Sequence, residues 1–224
     1  MSKINEEKNE NLVARFAAIP YTGAISDILF EMGVTEQVLP KEIQSILPGQ
    51  TLAGRALTLL GGLTTSSDPD IIFRPFLRML GEVQSGDVLV SQPNDSLVAH
   101  LGELSAETAQ HRGARGAVPD GGVRDVDYII KLGFPVFSRY KTPRDINGRW
   151  RLVDHNVPIT IGNVHIKPGD YVVGDHYGVV IIPQEIAAEV VAKAEEVVQT
   201  ENLVRKEILQ GTHPLEAFDK YGRF

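Results

Sequence analysis

Apolar residues recur at helical spacing through the first 34 positions, and the chain divides there into two helices. Leu12, Val13, Phe16 and Ala17 form one stripe that stops at Pro20. Thr22 then offers a side-chain cap for a second helix through Ile25, Ile28, Leu29 and Met32, ended by Gly33. Residues 49–60 (GQTLAGRALTLL) alternate as a strand does, with Gly54 as a candidate bulge. A loop of small residues follows from Gly61 to Asp70. Residues 71–83 return to helical spacing, with Pro75 tolerable only in a first turn.

From Gly86 short apolar runs alternate with short helical ones. Residues 88–90, 117–118 and 135–137 read as strands, and 102–112 and 125–132 as helices. Residues 92–100 read as a polar loop and Asp120-Gly121-Gly122 as a turn. Strand–helix–strand–helix–strand predicts a βαβ-type α/β unit. Residues 150–183 break into five β segments, at 151–153, 157–161, 164–166, 171–173 and 179–182, expected as a meander packed onto that unit. Turns at 161–164 and 167–170 separate some of them. After Pro183 a long helix runs to about Gln210, closed by Gly211, and Pro214 opens a last short one. The expectation is one domain, residues 1–224. It is an α/β sandwich with helical arms at 1–34 and 184–224, arms of a kind that wrap a neighbouring subunit.

Composition narrows the picture. A chain of 224 residues can bury about 70% of its unfolded surface, enough for a core without staples. Aromatic residues are only 7%, so aliphatic residues and Ala must fill it. The net charge of −7 repels phosphate backbones and argues against non-specific nucleic-acid binding. With no Cys, disulfides, thiolate metal sites, iron–sulfur clusters and cysteine nucleophiles are excluded. The polar start MSKINEEKNENLVARF holds no apolar signal core. No apolar run reaches the roughly 18–20 residues that span a bilayer. A soluble cytoplasmic protein without a membrane partner is expected.

Two stretches carry candidate chemistry. In GAVPDGGVRDVD, residues 116–127, a strand enters a Gly-rich turn and presents Arg124 beside Asp125 at a helix start. Loops at the carboxyl ends of strands are where α/β folds place ligands. The plainer alternative is an ordinary turn in which Asp125 caps its helix. In HLGELSAETAQ, residues 100–110, Gly102 opens a helix whose free N–H groups suit a carboxylate. Glu103 is there either as a catalytic acid or as a favourable charge on the helix dipole. The six His, at 100, 111, 155, 165, 176 and 213, form no HxH or HExxH pair, which argues against a zinc hydrolase. His100 precedes the carboxylate loop and is a weaker site candidate, while His165 and His176 read as satisfied strand residues. Ser66, Ser67 and Ser105 lack a GxSxG elbow. Lys131, after two Ile residues, is either desolvated for Schiff-base chemistry or snorkels to water. If a metal binds, a hard ion such as Mg²⁺ fits best, largely hydrated, with Asp125 as its carboxylate.

These residues resemble the RraA-like family, which includes the class II 4-hydroxy-4-methyl-2-oxoglutarate aldolases and a regulator of ribonuclease activity. The resemblance runs from about Pro20 to Phe224. Its most specific part is an acidic residue, twenty intervening positions, then Arg–Asp: Glu103, residues 104–123, Arg124 and Asp125. Leu101-Gly102-Glu103-Leu104, Pro135-Val136-Phe137, Thr142-Pro143-Arg144-Asp145, Pro168-Gly169-Asp170, Gly174-Asp175, Gly178-Val179-Val180 and Lys220-Tyr221-Gly222 support it. The resemblance implies a swivelling β/β/α-type core and a site with assigned roles. Asp125 is then the direct ligand of Mg²⁺ or Mn²⁺, and Arg124 binds the keto oxygen and the developing enolate. Glu103 orients metal-bound water, and the backbone from Leu101 to Leu104 cradles the substrate's C1 carboxylate. Glu201 from a neighbouring subunit reaches the metal through water, which implies a homotrimer or homohexamer. The implied activity is cleavage of a 4-hydroxy-2-oxo acid to pyruvate and a second carbonyl compound, with accompanying oxaloacetate decarboxylation. The implied alternative is a non-catalytic, protein-binding regulator of ribonuclease activity. The family's aldolases carry Asp where this chain has Glu103. The added methylene moves the carboxylate by about 1 Å, enough to alter rate or to suit another substrate such as a sugar acid.

Overall fold

A computed structural model describes residues 3–224, with side chains from residue 9 onward. Its elements begin with α1 (Lys3–Ala18), α2 (Thr22–Glu31), β1 (Gln44–Ser45), β2 (Leu52–Leu63), α3 (Pro69–Ile72) and α4 (Arg74–Glu82). The middle third holds β3 (Asp87–Gln92), β4 (Ala99–Leu101), α5 (Glu103–His111), β5 (Gly116–Pro119), β6 (Gly122–Val123) and α6 (Val126–Leu132). Next come β7 (Phe137–Ser138), β8 (Tyr140–Lys141), β9 (Trp150–His155), β10 (Ile159–Ile161) and β11 (Val164–Ile166). The chain closes with β12 (Tyr171–Asp175), β13 (Gly178–Ile182), α7 (Ala187–Leu209) and α8 (Pro214–Tyr221).

The twelve-residue β2 organises a six-stranded sheet in the order β13-β12-β2-β3-β5. One edge of β2 pairs in parallel with β3, and β3 pairs in parallel with β5. The helices α3 and α4, then α5, supply the two crossovers, as the βαβ pattern requires. The other edge of β2 is shared: residues 52–55 pair with β12 and residues 59–63 with β9, both antiparallel. Gly54 sits in regular register opposite Val172, so it is not the bulge expected there. The register shift falls at Leu60/Gly61, where β9 takes over the edge.

Side-chain alternation sorts the core into layers. Leu57, Leu59 and Leu89 face α4, α5 and α6 through Met79, Leu80, Ala106 and Ile129. Tyr171, Val173, Val180 and Ile182, on the same face by register, pack under α1, α2 and α7. The opposite face, with Val88, Val90, Val172 and Ile181, is covered by the β10–β11 hairpin. The result is helices, sheet and hairpin in three layers, an α/β sandwich as expected. The meander expectation needs correction: β9, β12 and β13 join the main sheet, and only β10–β11 packs upon it. The helical arms belong to the core as well. Ala187, Val190, Val191, Ala194 and Val197 bury one stripe of α7 against α2 and the sheet. Arg15 on α1 holds Glu195 on α7 through two hydrogen bonds of 2.8 and 2.7 Å. Beyond them α7 and α8 expose Leu203, Leu209, Leu215 and Phe218.

Thr22 is the first residue of α2 and not its cap. Its N–H and hydroxyl donate to the two oxygens of Asp175, at 2.6 and 2.9 Å. The orphan donors of a helix start are thus met by a carboxylate 153 positions away, at the end of β12. Among the described residues no single helix is long and apolar enough to cross a membrane.

Candidate active site

Beyond the carboxyl ends of β3 and β5 the chain builds a second, smaller parallel sheet, β4-β6-β8. Its middle strand delivers Arg124 and Asp125. The Arg124 N–H donates to the Leu101 carbonyl at 3.0 Å and Thr142 N–H to the Val123 carbonyl at 3.1 Å, so the Arg–Asp pair leaves a strand fixed on both sides.

Asp125 then takes the left-handed conformation, φ 55° and ψ 33°. Asp adopts this region more readily than most residues, at a cost of order 1 kcal/mol or more. The turn sends its carboxylate away from its own helix: Asp125 makes no side-chain cap on α6. Instead Oδ2 accepts the Glu103 N–H at 3.1 Å, the first donor of α5. The same oxygen lies 3.3 Å from Arg124 Nε. The simple capping reading of Asp125 is therefore wrong for α6, and the cap is given to α5. Both side chains stay accessible, at 42% for Arg124 and 39% for Asp125.

Gly102 makes the convergence possible. A Cβ on it would lie 2.8 Å from Asp125 Oδ2 and 3.0 Å from Arg124 Nε. The loop from Leu101 to Leu104 therefore approaches the pair as bare backbone. Leu101 is buried, Glu103 half-buried, and the Leu104 side chain is exposed at 75%. One donor of the expected carboxylate cradle, Glu103 N–H, is already committed to Asp125. The cleft beside the pair measures about 390 Å³ and is lined by Val123, Arg124, Asp125, Val126, Lys141, Thr142 and Pro143. A larger groove of about 570 Å³, lined by Tyr21, Val38, Tyr177 and Val180 among others, lies elsewhere. Its apolar walls carry no comparable charged pair, so the smaller cleft is the candidate site.

His100 lies beneath this site and not in it. It is buried, its Nδ1 accepts the Gly122 N–H at 3.2 Å, and its Nε2 stands 3.2 Å from Asp95 Oδ2. The neutral ring therefore carries its proton on Nε2. Burial pushes the imidazole down to about 4, against the opposing pull of Asp95. Asp95, despite burial, is held below its usual range by the Val98 and Leu97 N–H groups and by His100. A Cβ on Gly121 would strike the His100 ring at 2.4 Å, so the Gly-rich turn exists to admit this imidazole. No local pattern marked His100 as a support for β6. Its partners are brought by pairing across 22 positions. Lys141 was missed too, because the signal was only its place one residue before Thr142-Pro143.

The other candidates stand apart. Lys131 is exposed, its Nζ 5.3 Å from the Tyr128 ring centroid, and so snorkels. His165 Nδ1 meets Thr160 Oγ1 at 2.9 Å, whereas His176 is exposed in the β12–β13 turn. Glu201, on α7, accepts a hydrogen bond from Tyr21 of its own chain. Burial, followed by this carboxylate, pushes the Tyr21 phenol up to about 12. Among the described residues the Asp125 carboxylate meets Glu103 and Arg124, not Glu201.

Among the described residues no three His, Asp or Glu side chains gather into a metal-binding group. Mg²⁺ needs only one or two carboxylates and keeps several waters, and Asp125 Oδ1 has no protein donor among the described residues.

Known proteins resemble this chain over most of its length. A family model described as RraA-like, Aldolase/RraA, matches residues 22–181. An uncharacterised protein of Methanocaldococcus jannaschii is 38% identical over 110 residues, 49% of this chain and 52% of that one. The matched part thus spans about half of that relative's length. A Halalkalibacterium halodurans protein, provisionally named a 4-hydroxy-4-methyl-2-oxoglutarate aldolase, is 32% identical over 83% of this chain and 82% of its own. The crystal structure of Streptomyces coelicolor RraAS2, titled an unusual member of the RNase ES inhibitor RraA protein family, is 28% identical. It superposes with a TM-score of 0.78 over 87% of this chain and 96% of that one.

Proposed function

The chain belongs to the RraA-like family, and on that premise we propose that it is a divalent-cation-dependent lyase. Its substrate is a 4-hydroxy-2-oxo acid of the 4-hydroxy-4-methyl-2-oxoglutarate kind, cleaved to pyruvate and a second carbonyl compound. The carrying observation is the convergence of Arg124, Asp125 and the α5 start across Gly102. The aldolase names among its relatives support the same reading.

Asp125 would hold Mg²⁺ or Mn²⁺ through Oδ1, the carboxylate oxygen without a protein donor among the described residues. A cation bound there supplies Lewis-acid polarisation of the 2-oxo acid. The residues of the chain do the rest. The remaining free N–H groups of α5, after Glu103, face the substrate's C1 carboxylate with the positive end of the helix dipole. The Arg124 guanidinium sits where the keto oxygen gains negative charge, and it stabilises that charge without having to reorganise. Glu103 orients the water that takes the C4 hydroxyl proton. The C4–O bond then becomes a carbonyl, C3–C4 breaks, and its electron pair passes through C3–C2 to the keto oxygen. Protonation at C3 gives pyruvate. Loss of CO₂ from oxaloacetate delivers the same enolate, so decarboxylation accompanies cleavage. The longer Glu103 leaves a sugar acid as a variant substrate of the same site.

Glu201 is held by Tyr21 in its own chain, and the water-mediated contact with the cation would come from the Glu201 of a neighbouring copy, in a homotrimer or homohexamer. The test is pyruvate release from several 2-oxo acids, with Mg²⁺ or Mn²⁺ and with EDTA, on material whose mass is checked by light scattering. Metal-dependent release by the wild type, lost in Arg124→Ala and Asp125→Asn, is expected. The likeness to RraAS2, a member of an RNase ES inhibitor family, favours one other reading, an acidic docking protein for a ribonuclease. Absence of metal-dependent release from every 2-oxo acid, with direct binding to a purified ribonuclease, would establish that reading instead.

A further inference from the structure

We infer that Lys141 is the receptor for a second anionic group on the substrate, so that the cleft selects 2-oxo acids carrying two carboxylates. The inference rests on the lyase reading above and assigns a role to a residue outside its reacting group.

Parallel pairing of β6 with β8 puts Lys141 opposite Val123, the residue before Arg124. Neighbouring strands are about 4.8 Å apart, so Lys141 and Arg124 leave adjacent strands at nearly the same level. Lys141 and its neighbour Tyr140 differ in environment. The Tyr140 hydroxyl turns inward and donates to the Val98 carbonyl at 3.1 Å, whereas Lys141 is exposed and lines the cleft with Arg124 and Asp125. Thr142 N–H, bonded to the Val123 carbonyl, fixes the strand just beyond it.

Charge then points to the ligand. The cleft lining holds two cations, Arg124 and Lys141, and one carboxylate, Asp125. Arg124 is engaged with Asp125, but the Lys141 ammonium has no ion-pair partner among the described residues. It stands in a protein of net charge −7. Lys131, the other lysine near this helix, lies over the Tyr128 ring and is not in the lining. An ammonium on a flexible four-carbon stem suits a carboxylate at the far end of a short acid, whose C1 end meets Arg124 and the start of α5.

The experiment compares two uncleavable five-carbon acids, 2-oxoglutarate and 2-oxopentanoate, which differ only in the second carboxylate. Binding to the Mg²⁺-loaded protein is measured by titration calorimetry for wild type, Lys141→Met and Lys141→Arg. The expected result is wild-type preference for 2-oxoglutarate by about tenfold, the scale of one charge-assisted hydrogen bond in an open site. Lys141→Met should bind both acids alike, near the wild-type affinity for 2-oxopentanoate, and Lys141→Arg should restore the preference. A preference unchanged in Lys141→Met, no preference in the wild type, or binding of neither acid overturns the inference. Pyruvate release, measured in parallel, separates the two levels. A Lys141-dependent preference without lyase activity refutes the lyase and leaves this residue's role standing. Lyase activity with a Lys141-independent preference does the reverse.

Discussion

Gly102→Ala isolates the geometry of the site from the stability of the fold. The new Cβ would sit 2.8 Å from Asp125 Oδ2, 3.0 Å from Arg124 Nε and 3.2 Å from Arg124 Cγ. Nonbonded carbon contacts are comfortable only near 3.5–4.0 Å, so the two side chains must retreat by roughly half an ångström or more. They can retreat cheaply, because both are about two-fifths exposed and their ends are free to move. The backbone has no need to move. Gly102 has φ −132° and ψ −177°, extended geometry that Ala adopts without strain. The unfolded chain loses some freedom with Ala, which favours folding by at most about 1 kcal/mol. The Asp125 carboxylate meanwhile leaves the Glu103 N–H, a lost cap that costs about as much, so stability should stay within about 1 kcal/mol of wild type. Misplacing a reacting group by about 1 Å costs on the order of 10² in rate. Thermal unfolding and metal-dependent pyruvate release from oxaloacetate, measured on the same preparation, give both quantities. A Gly102→Ala protein that melts like wild type and turns over within threefold of it would refute the claim that this convergence carries the chemistry.

Two further perturbations test the supports of the site and of the fold. His100 has an ordinary value near 6.5 when unfolded and about 4 when folded, so the unfolded chain binds the extra proton between those limits. Its stability contribution is complete above about pH 6.5 and is lost as pH falls to about 4, by about 3 kcal/mol. Urea unfolding across that range should show this loss, and His100→Asn, which keeps an acceptor for Gly122 N–H, should flatten it; an equal slope in the variant removes His100 as the cause. Asp175→Ala leaves the Thr22 N–H and hydroxyl without their carboxylate and should lower stability by about 1–2 kcal/mol with lyase activity intact. A melting temperature equal to that of wild type would show that water caps α2 equally well.

The sequence by itself determined the elements whose signals are local. Spacing of Val190, Val191, Ala194 and Val197 made α7, and Gly211 and Pro214 marked its end and the start of α8. Alternation made β2 and short apolar runs made β3 and β5, and the adjacency of Arg124 and Asp125 at a helix start marked a candidate site. The family pattern already joined Glu103 to that pair. What the chain could not show was which distant group completes each local one. Asp125 reads as a cap for its own helix, and only the pairing of β4 with β6 turns it to the start of α5. Thr22 reads as a cap, and only the packing of α2 on β12 gives that role to Asp175. The strands after residue 150 read as a separate meander because edge pairing with β2 depends on which edge is left open. His100 and Lys141 gained their roles in the same way, one below β6 and one beside it. Helix and strand patterns are set within a few residues by backbone geometry and by the face that must be buried. Partners far apart in sequence are chosen by the packing of the whole chain, where every buried donor must find an acceptor that no local pattern supplies.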